Sequence, residues 1–195
     1  MQTPDTTLYP SEQRASVVAS WAEEALLKGQ EDALGKVFWR LIAEEWTGFD
    51  AIPHGWFHLL FHRMRPYLTN DVMRPEDSAA FNALPEEFTI YRGTDAEALP
   101  GLSWTLDRQT ALEFARGHRG IENSAPVLLS TSVKRSDVAL FLKEREEAEI
   151  LLFAPPKAPS VEEPTAKELM RPEEYEAHLA KLAQIDAKLA ETDNI

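Results

Sequence analysis

A chain of 195 residues, 44% of them apolar, has material for one core of ordinary size, which excludes global disorder. Its net charge of −13 repels phosphate backbones and argues against nucleic acid as an electrostatically held partner, and the lack of cysteine excludes disulfides, thiol nucleophiles and thiolate metal sites. Met1 to Arg14 carries no apolar signal-peptide core and no apolar run approaches the roughly 20 residues that span a bilayer, so the expectation is a cytoplasmic protein without membrane attachment, compatible also with delivery by a dedicated machine.

Residues 11 to 84 read as helical. Ser11 is placed to cap a first helix with Val17, Val18, Trp21, Ala25 and Leu26 at three-to-four spacing. After Gly29 a second helix presents Leu34, Val37, Phe38, Leu41 and Ile42 on one face, and Gly48 and Pro53 then punctuate the chain. A third helical stretch, His54 to Leu68, carries Trp56, Leu59, Leu60, Phe61 and Met64; a short fourth runs from Pro75, at its first position, to Leu84. The large aromatics are expected to pack this region or to pack it against the rest. His54, His58 and His62 share one face of the third helix. The outer two lie roughly 12 Å apart by helical rise, too far to share one ion, and no His-Glu-x-x-His pattern lies between them. This face reads as polar or partly buried, with no metal.

The pattern changes at Pro85. Phe88 to Arg92 alternates and is rich in β-formers, which predicts a strand. Leu102 to Leu106 is a second short strand, and Asp107 then caps a helix through Ala111, Leu112, Phe114 and Ala115. Gly117 and Gly120 bracket a loop. Val127 to Val133 is a third strand, Asp137 to Lys143 a connection with at most one helical turn, and Ala148 to Phe153 a fourth strand. Short strands with few helices between them predict an α+β domain, not a doubly wound one. Pro155, Pro156, Pro159 and Pro164 form a stiff linker. A charged helix follows, with Tyr175, Leu179, Leu182, Ile185 and Leu189 on one side, expected to pack within the chain.

Glu147-Ala148-Glu149 enters the apolar run Ile150-Leu151-Leu152. A strand entering the core strips water from a carboxylate, a cost that invites a functional explanation. Alone, the pair is a weak signal: with Lys143, Glu144, Arg145 and Glu146 it reads as a solvated charged run. Arg92 alone reads as a surface strand residue and Ser103 alone as a cap before a helix. Order changes the weighting. Tyr91-Arg92-Gly93 follows an apolar strand, Leu102-Ser103-Trp104-Thr105 leads into a helix, and the Glu pair enters a late strand. In that order they resemble the signatures of the mono-ADP-ribosyltransferases of the arginine–serine–glutamate class, over residues 85–155, about a third of the chain. Ser130-Thr131-Ser132 matches the serine signature better letter by letter. It leads into Val133-Lys134-Arg135 instead of a helix and lies too close to the Glu pair, so it is read as the strand preceding that pair.

The resemblance implies a split two-sheet α+β core at 85–155 that binds NAD+ and carries the catalysis, with a helical region at 1–84 packed on it and a Pro-rich linker and helix at 156–195. It implies NAD+ as substrate, no metal, ADP-ribose moved to a protein acceptor at arginine, and NAD+ hydrolysis as a side activity. Glu149 is then the catalytic carboxylate, which also holds the ribose 2′-hydroxyl, and Glu147 the acceptor-facing one. Arg92 grips the NAD+ phosphates or adjacent ribose, with Gly93 beside it. Ser103 supports the ribose and Glu149, with Thr105 at the helix start. Arg119, in the loop 116–123, is the candidate for phosphate and nicotinamide. Two rivals stand beside this. The same fold can serve as a nucleotide- or protein-binding module without chemistry. A helical interaction protein with an incidental Glu pair predicts no cleft joining Arg92, Ser103 and Glu149.

Overall fold

A computed structural model describes residues 2–98, 100–118, 121–143 and 148–192. Helices α1 (Ser11–Leu27), α2 (Glu31–Glu45), α3 (His54–Met64) and α4 (Pro75–Ala83) come first, and then the chain turns to strands at β1 (Glu87–Asp95). The α1 face that goes inward is Ala15, Val18, Ala19, Ala22 and Ala25, mostly small side chains that let the neighbouring helices approach. Pro10 stands at its cap position, and no side-chain cap is made there.

The remaining elements are β2 (Ser103–Thr105), α5 (Arg108–Arg116), β3 (Gly117–His118), β4 (Ile121–Glu122), β5 (Pro126–Lys134), β6 (Val138–Leu142), β7 (Glu149–Leu152), β8 (Ser160–Glu162), α6 (Ala166–Leu169) and α7 (Pro172–Thr192). Six strands form one antiparallel sheet in the order β6-β7-β2-β1-β5-β8, and β3 and β4 form a separate ribbon. The class is α+β. The main sheet is continuous because β1 pairs with both neighbours: Tyr91 with Thr105 of β2, and all nine residues, Glu87 to Asp95, with β5. The resemblance implied a sheet split in two.

Three segments differ from the sequence-based expectation, the first being the loop expected from Gly117 onward, where the paired strands β3 and β4 stand instead. Val138 to Leu142, expected as a connection, is the edge strand β6 after one 3₁₀ turn at Arg135–Asp137. All five of its residues are buried, so it shows none of the alternation that marks a half-buried strand. Ser160–Glu162, inside the Pro-rich linker, pairs with Leu128 to Ser130. It is short and exposed and occupies the sheet's other edge, where neighbouring prolines are tolerated. The α7 helix forms as expected, but Leu179, Leu182 and Ile185 stay 44–47% exposed, so the chain does not cover this stripe.

The sheet is covered on both faces, and alternation along its strands shows how. Ile90 of β1 and Val127 and Leu129 of β5 join the large core shared with the N-terminal helices. Tyr91 and Leu128, one residue along, pack instead with Ala111 and Leu112 of α5. The large core is one body from Ala15 to Phe153, and its centre is aromatic: Trp39 meets Phe61 at 4.9 Å and Phe153 edge-on at 6.0 Å. Residues 15–84 thus share their core with the sheet. Asp107 caps α5 by accepting from the Gln109 N–H at 2.8 Å, and Asn123 closes the other end through the Phe114 and Ala115 carbonyls.

Gly93 lies under α5 with no room for a side chain: a β-carbon there would stand 1.8 Å from the Ala111 carbonyl oxygen and 2.3 Å from the Ala115 nitrogen. Both are helix backbone and cannot swing aside. Gly93→Ala is therefore expected to lower unfolding free energy in urea by about 3 kcal/mol; an unchanged midpoint would show that α5 moves away freely.

Candidate active site

Strand register brings the first two site residues together. On the β2–β7 ladder Ser103 pairs with Leu151 and Thr105 with Glu149. Side chains two apart on a strand share a face, so Ser103 and Glu149 are diagonal neighbours on one face. The Ser103 hydroxyl donates to Glu149 Oε1. A second donor reaches the same oxygen from the N-terminal helices: the indole Nε1–H of Trp46, at 3.0 Å. Glu149 is half-buried at the first position of its strand. Hydrogen bonds to the charged form supply part of what burial removes from a carboxylate's hydration.

Arg92 follows from the alternation of β1. Its neighbours Tyr91 and Gly93 pack against α5, so Arg92 is directed to the other face, toward α3. There its Nη1 donates to the Ser103 carbonyl oxygen at 2.6 Å, and its Nε is buried without a partner. Burial pushes the guanidinium pKa down from its ordinary value, and the charge of Glu149 pulls it back up. Arg92 thus fixes the backbone of the same serine whose hydroxyl holds Glu149.

His54, the first residue of α3, closes this side. Its Nδ1 accepts the Leu102 N–H at 3.2 Å, which leaves it holding the entry to β2. Gly101 is the gap that admits both neighbours: a β-carbon there would lie 2.7 Å from the His54 ring and 3.0 Å from Arg92 Cζ. Burial first, and the Arg92 charge second, push the imidazole down to about 4. A neutral ring with an acceptor at Nδ1 is the form this hydrogen bond needs.

Arg92, Gly93, Ser103, Thr105 and Glu149 line one small cleft together with Tyr91 and Phe114. It holds about 70 Å³, well below the roughly 300–1,000 Å³ of sites that bury a whole ligand, so it is too small to enclose one. A groove of about 1370 Å³ passes between α5 and the α6–α7 segment beside Arg116, Lys167 and Arg171, and it shares no lining residue with the cleft. Thr105 is buried, its hydroxyl accepting the Asp107 N–H at 3.1 Å, so it shapes the turn into α5. Ser130 to Ser132 lies within β5, where Ser132 bonds Glu87 and not Glu149.

Five of the seven residues singled out from sequence therefore line one cleft, and the cleft predicted to be absent from a helical interaction protein exists. Glu147 and Arg119 lie outside the described residues. Trp46 and His54 are not among those seven. Trp46 has no sequence signal beyond its place before Gly48, and His54 stands out only as part of a histidine stripe. Among the described residues no group of three or more His, Asp or Glu is placed to hold a metal ion, and no helix is long and apolar enough to cross a membrane. Comparison with protein-family models, curated proteins and solved structures gives no match to this chain.

The depressed His54 value carries a sign. As pH falls from about 6.5 to about 4, the unfolded chain binds a proton that folded His54 refuses, so stability falls across that window and is fully retained above it. His54→Asn, which keeps an acceptor near Nδ1, is expected to flatten the stability–pH curve between those limits relative to wild type. Urea unfolding at a series of pH values measures both curves; parallel curves would mean that His54 does not titrate as placed.

Proposed function

We propose that this chain breaks the nicotinamide–ribose bond of NAD+ and moves ADP-ribose to a protein arginine, on an α+β scaffold of the mono-ADP-ribosyltransferase kind. The observation that supports it most is the convergence of Arg92, Ser103 and Glu149, from three different strands, on one cleft through direct hydrogen bonds. A chance solvated Glu pair gives no reason for two donors on one carboxylate oxygen beside a buried guanidinium.

The chemistry asks for those groups. When the bond from ribose C1′ to the pyridinium nitrogen breaks, its electron pair stays with nicotinamide, which leaves neutral. Positive charge spreads over C1′ and the ring oxygen, as in glycoside hydrolysis. A carboxylate fixed nearby stabilises that state more than the ground state, which is what accelerates the step. Glu149 is that carboxylate, and it also takes the ribose 2′-hydroxyl. Ser103 and Trp46 hold its Oε1, so its orientation is set before substrate arrives. Arg92 fixes Ser103 and brings positive charge for the NAD+ phosphates or adjacent ribose. Gly93 keeps α5 close to the cleft floor, Thr105 shapes the turn into that helix, and Arg119 is assigned to phosphate and nicotinamide.

The acceptor nitrogen then gives its electron pair to C1′ and loses a proton to solvent or a carboxylate. Glu147 is assigned to the acceptor, because a carboxylate grips a guanidinium through two parallel hydrogen bonds and so aims its nitrogen. The net charge of −13 favours approach of a basic acceptor.

The two glutamates separate in one experiment. Glu149→Gln is expected to lower nicotinamide release from NAD+ by about 100-fold or more, with and without acceptor. Glu147→Gln is expected to keep hydrolysis of NAD+ and lose transfer to an arginine acceptor. Nicotinamide release unchanged by Glu149→Gln would end the assignment.

A further inference from the structure

We propose that Trp46 is a positioning residue for Glu149, which makes the N-terminal helical region part of the reaction centre. The proposal rests on the ADP-ribosyl transfer reading for its kinetic consequence but not for the contact itself. Trp46 opens the 3₁₀ turn after α2 and is only 1% exposed. Its ring is held by Phe57 edge-on at 5.2 Å, by Phe61 at 5.6 Å and by Phe49 at 6.0 Å. An indole N–H is a donor only and, once buried, needs an acceptor. The other two buried tryptophans use backbone carbonyls: Trp39 donates to Met64 at 2.8 Å and Trp104 to Gly101 at 2.9 Å. Trp46 instead reaches 103 residues along the chain to the carboxylate assigned to catalysis.

The difference in stiffness between the two donors gives Trp46 its role. A serine hydroxyl rotates and will follow a carboxylate that turns. The indole cannot, because its ring is clamped by three phenylalanines. Ser103 and Trp46 meet one oxygen from opposite layers of the molecule, the sheet and the helices. Losing the rigid one leaves Glu149 Oε1 with a hydroxyl donor that follows the carboxylate as it turns. Substrate binding at Arg92 and Ser103 is retained, while the carboxylate spends less time where charge develops.

Two measurements on the full chain test this. Trp46→Phe keeps an aromatic ring and removes the N–H; it is expected to lower kcat for nicotinamide release about 10- to 100-fold with KM for NAD+ changed less than threefold. Trp39→Phe deletes a comparable buried indole from the same cluster and controls for lost packing; it is expected to keep the wild-type kcat. In the 1H–15N spectrum of the five indoles, Glu149→Gln is expected to move the Trp46 Nε1–H resonance upfield and to leave those of Trp39 and Trp104 in place. A Trp46 resonance that ignores Glu149→Gln overturns the contact, and so the proposal, even where Trp46→Phe fails to fold. Equal kcat losses in the two tryptophan variants overturn the positioning role. A responsive Trp46 resonance in a protein that releases no nicotinamide upholds the contact and overturns the reaction, so the two failures are distinct.

Discussion

A carboxylate at the start of a buried strand must recover by hydrogen bonds and opposite charge what it loses in water, and Glu149 recovers it from separate parts of the chain. Ser103 reaches it across the β2–β7 ladder, Trp46 from the turn behind α2, and the field of Arg92 from β1. Each donor in turn depends on a further contact. Ser103 is held at its carbonyl by Arg92, the entry to its strand by His54, and Trp46 by an aromatic cluster. The geometry around one oxygen therefore requires the helices and the sheet to be docked together, which the shared core from Ala15 to Phe153 ensures.

Placing a buried arginine in this arrangement has a cost that the fold distributes. Arg92 lies on the helical face of β1 because Gly93 and Tyr91 are committed to α5. Its guanidinium satisfies a backbone carbonyl and lies in the field of Glu149, while its Nε has no partner. Gly101 and Gly93 matter here for different reasons. One leaves space for His54 and Arg92 to flank the same loop; the other lets a helix backbone lie against a strand. Neither acts through backbone freedom at positive φ, which the described glycines show at Gly29 and Gly117.

Local chemistry was legible in the sequence, and long-range contact was not. Asp107 announced the start of α5, and the alternation of Phe88 to Arg92 announced β1, because each signal lies within a few residues of its effect. The grouping of Arg92, Ser103 and Glu149 was legible only as what the resemblance of three ordered motifs implies; none of the three residues signals it alone. The strand β6 was hidden because burial on both faces removes alternation, and β8 because prolines around it read as linker. Trp46 and His54 carry no local mark of their roles: their partners lie 103 and 48 residues away, and an isolated aromatic or histidine in a helical region has an ordinary packing explanation. The stripe on α7 shows the reverse case, since its amphipathic spacing was correct while its burial within the chain was not.

The most direct measurement is a crystal structure of the protein with an unreactive carbocyclic analogue of NAD+. The expected result is the nicotinamide-bearing ring in the cleft of Arg92, Ser103 and Glu149, its C1′ carbon facing the Glu149 carboxylate and the Trp46 hydrogen bond intact. An analogue lodged only in the groove under α6 and α7, or no binding at millimolar concentration, would contradict the assignment of this cleft to NAD+.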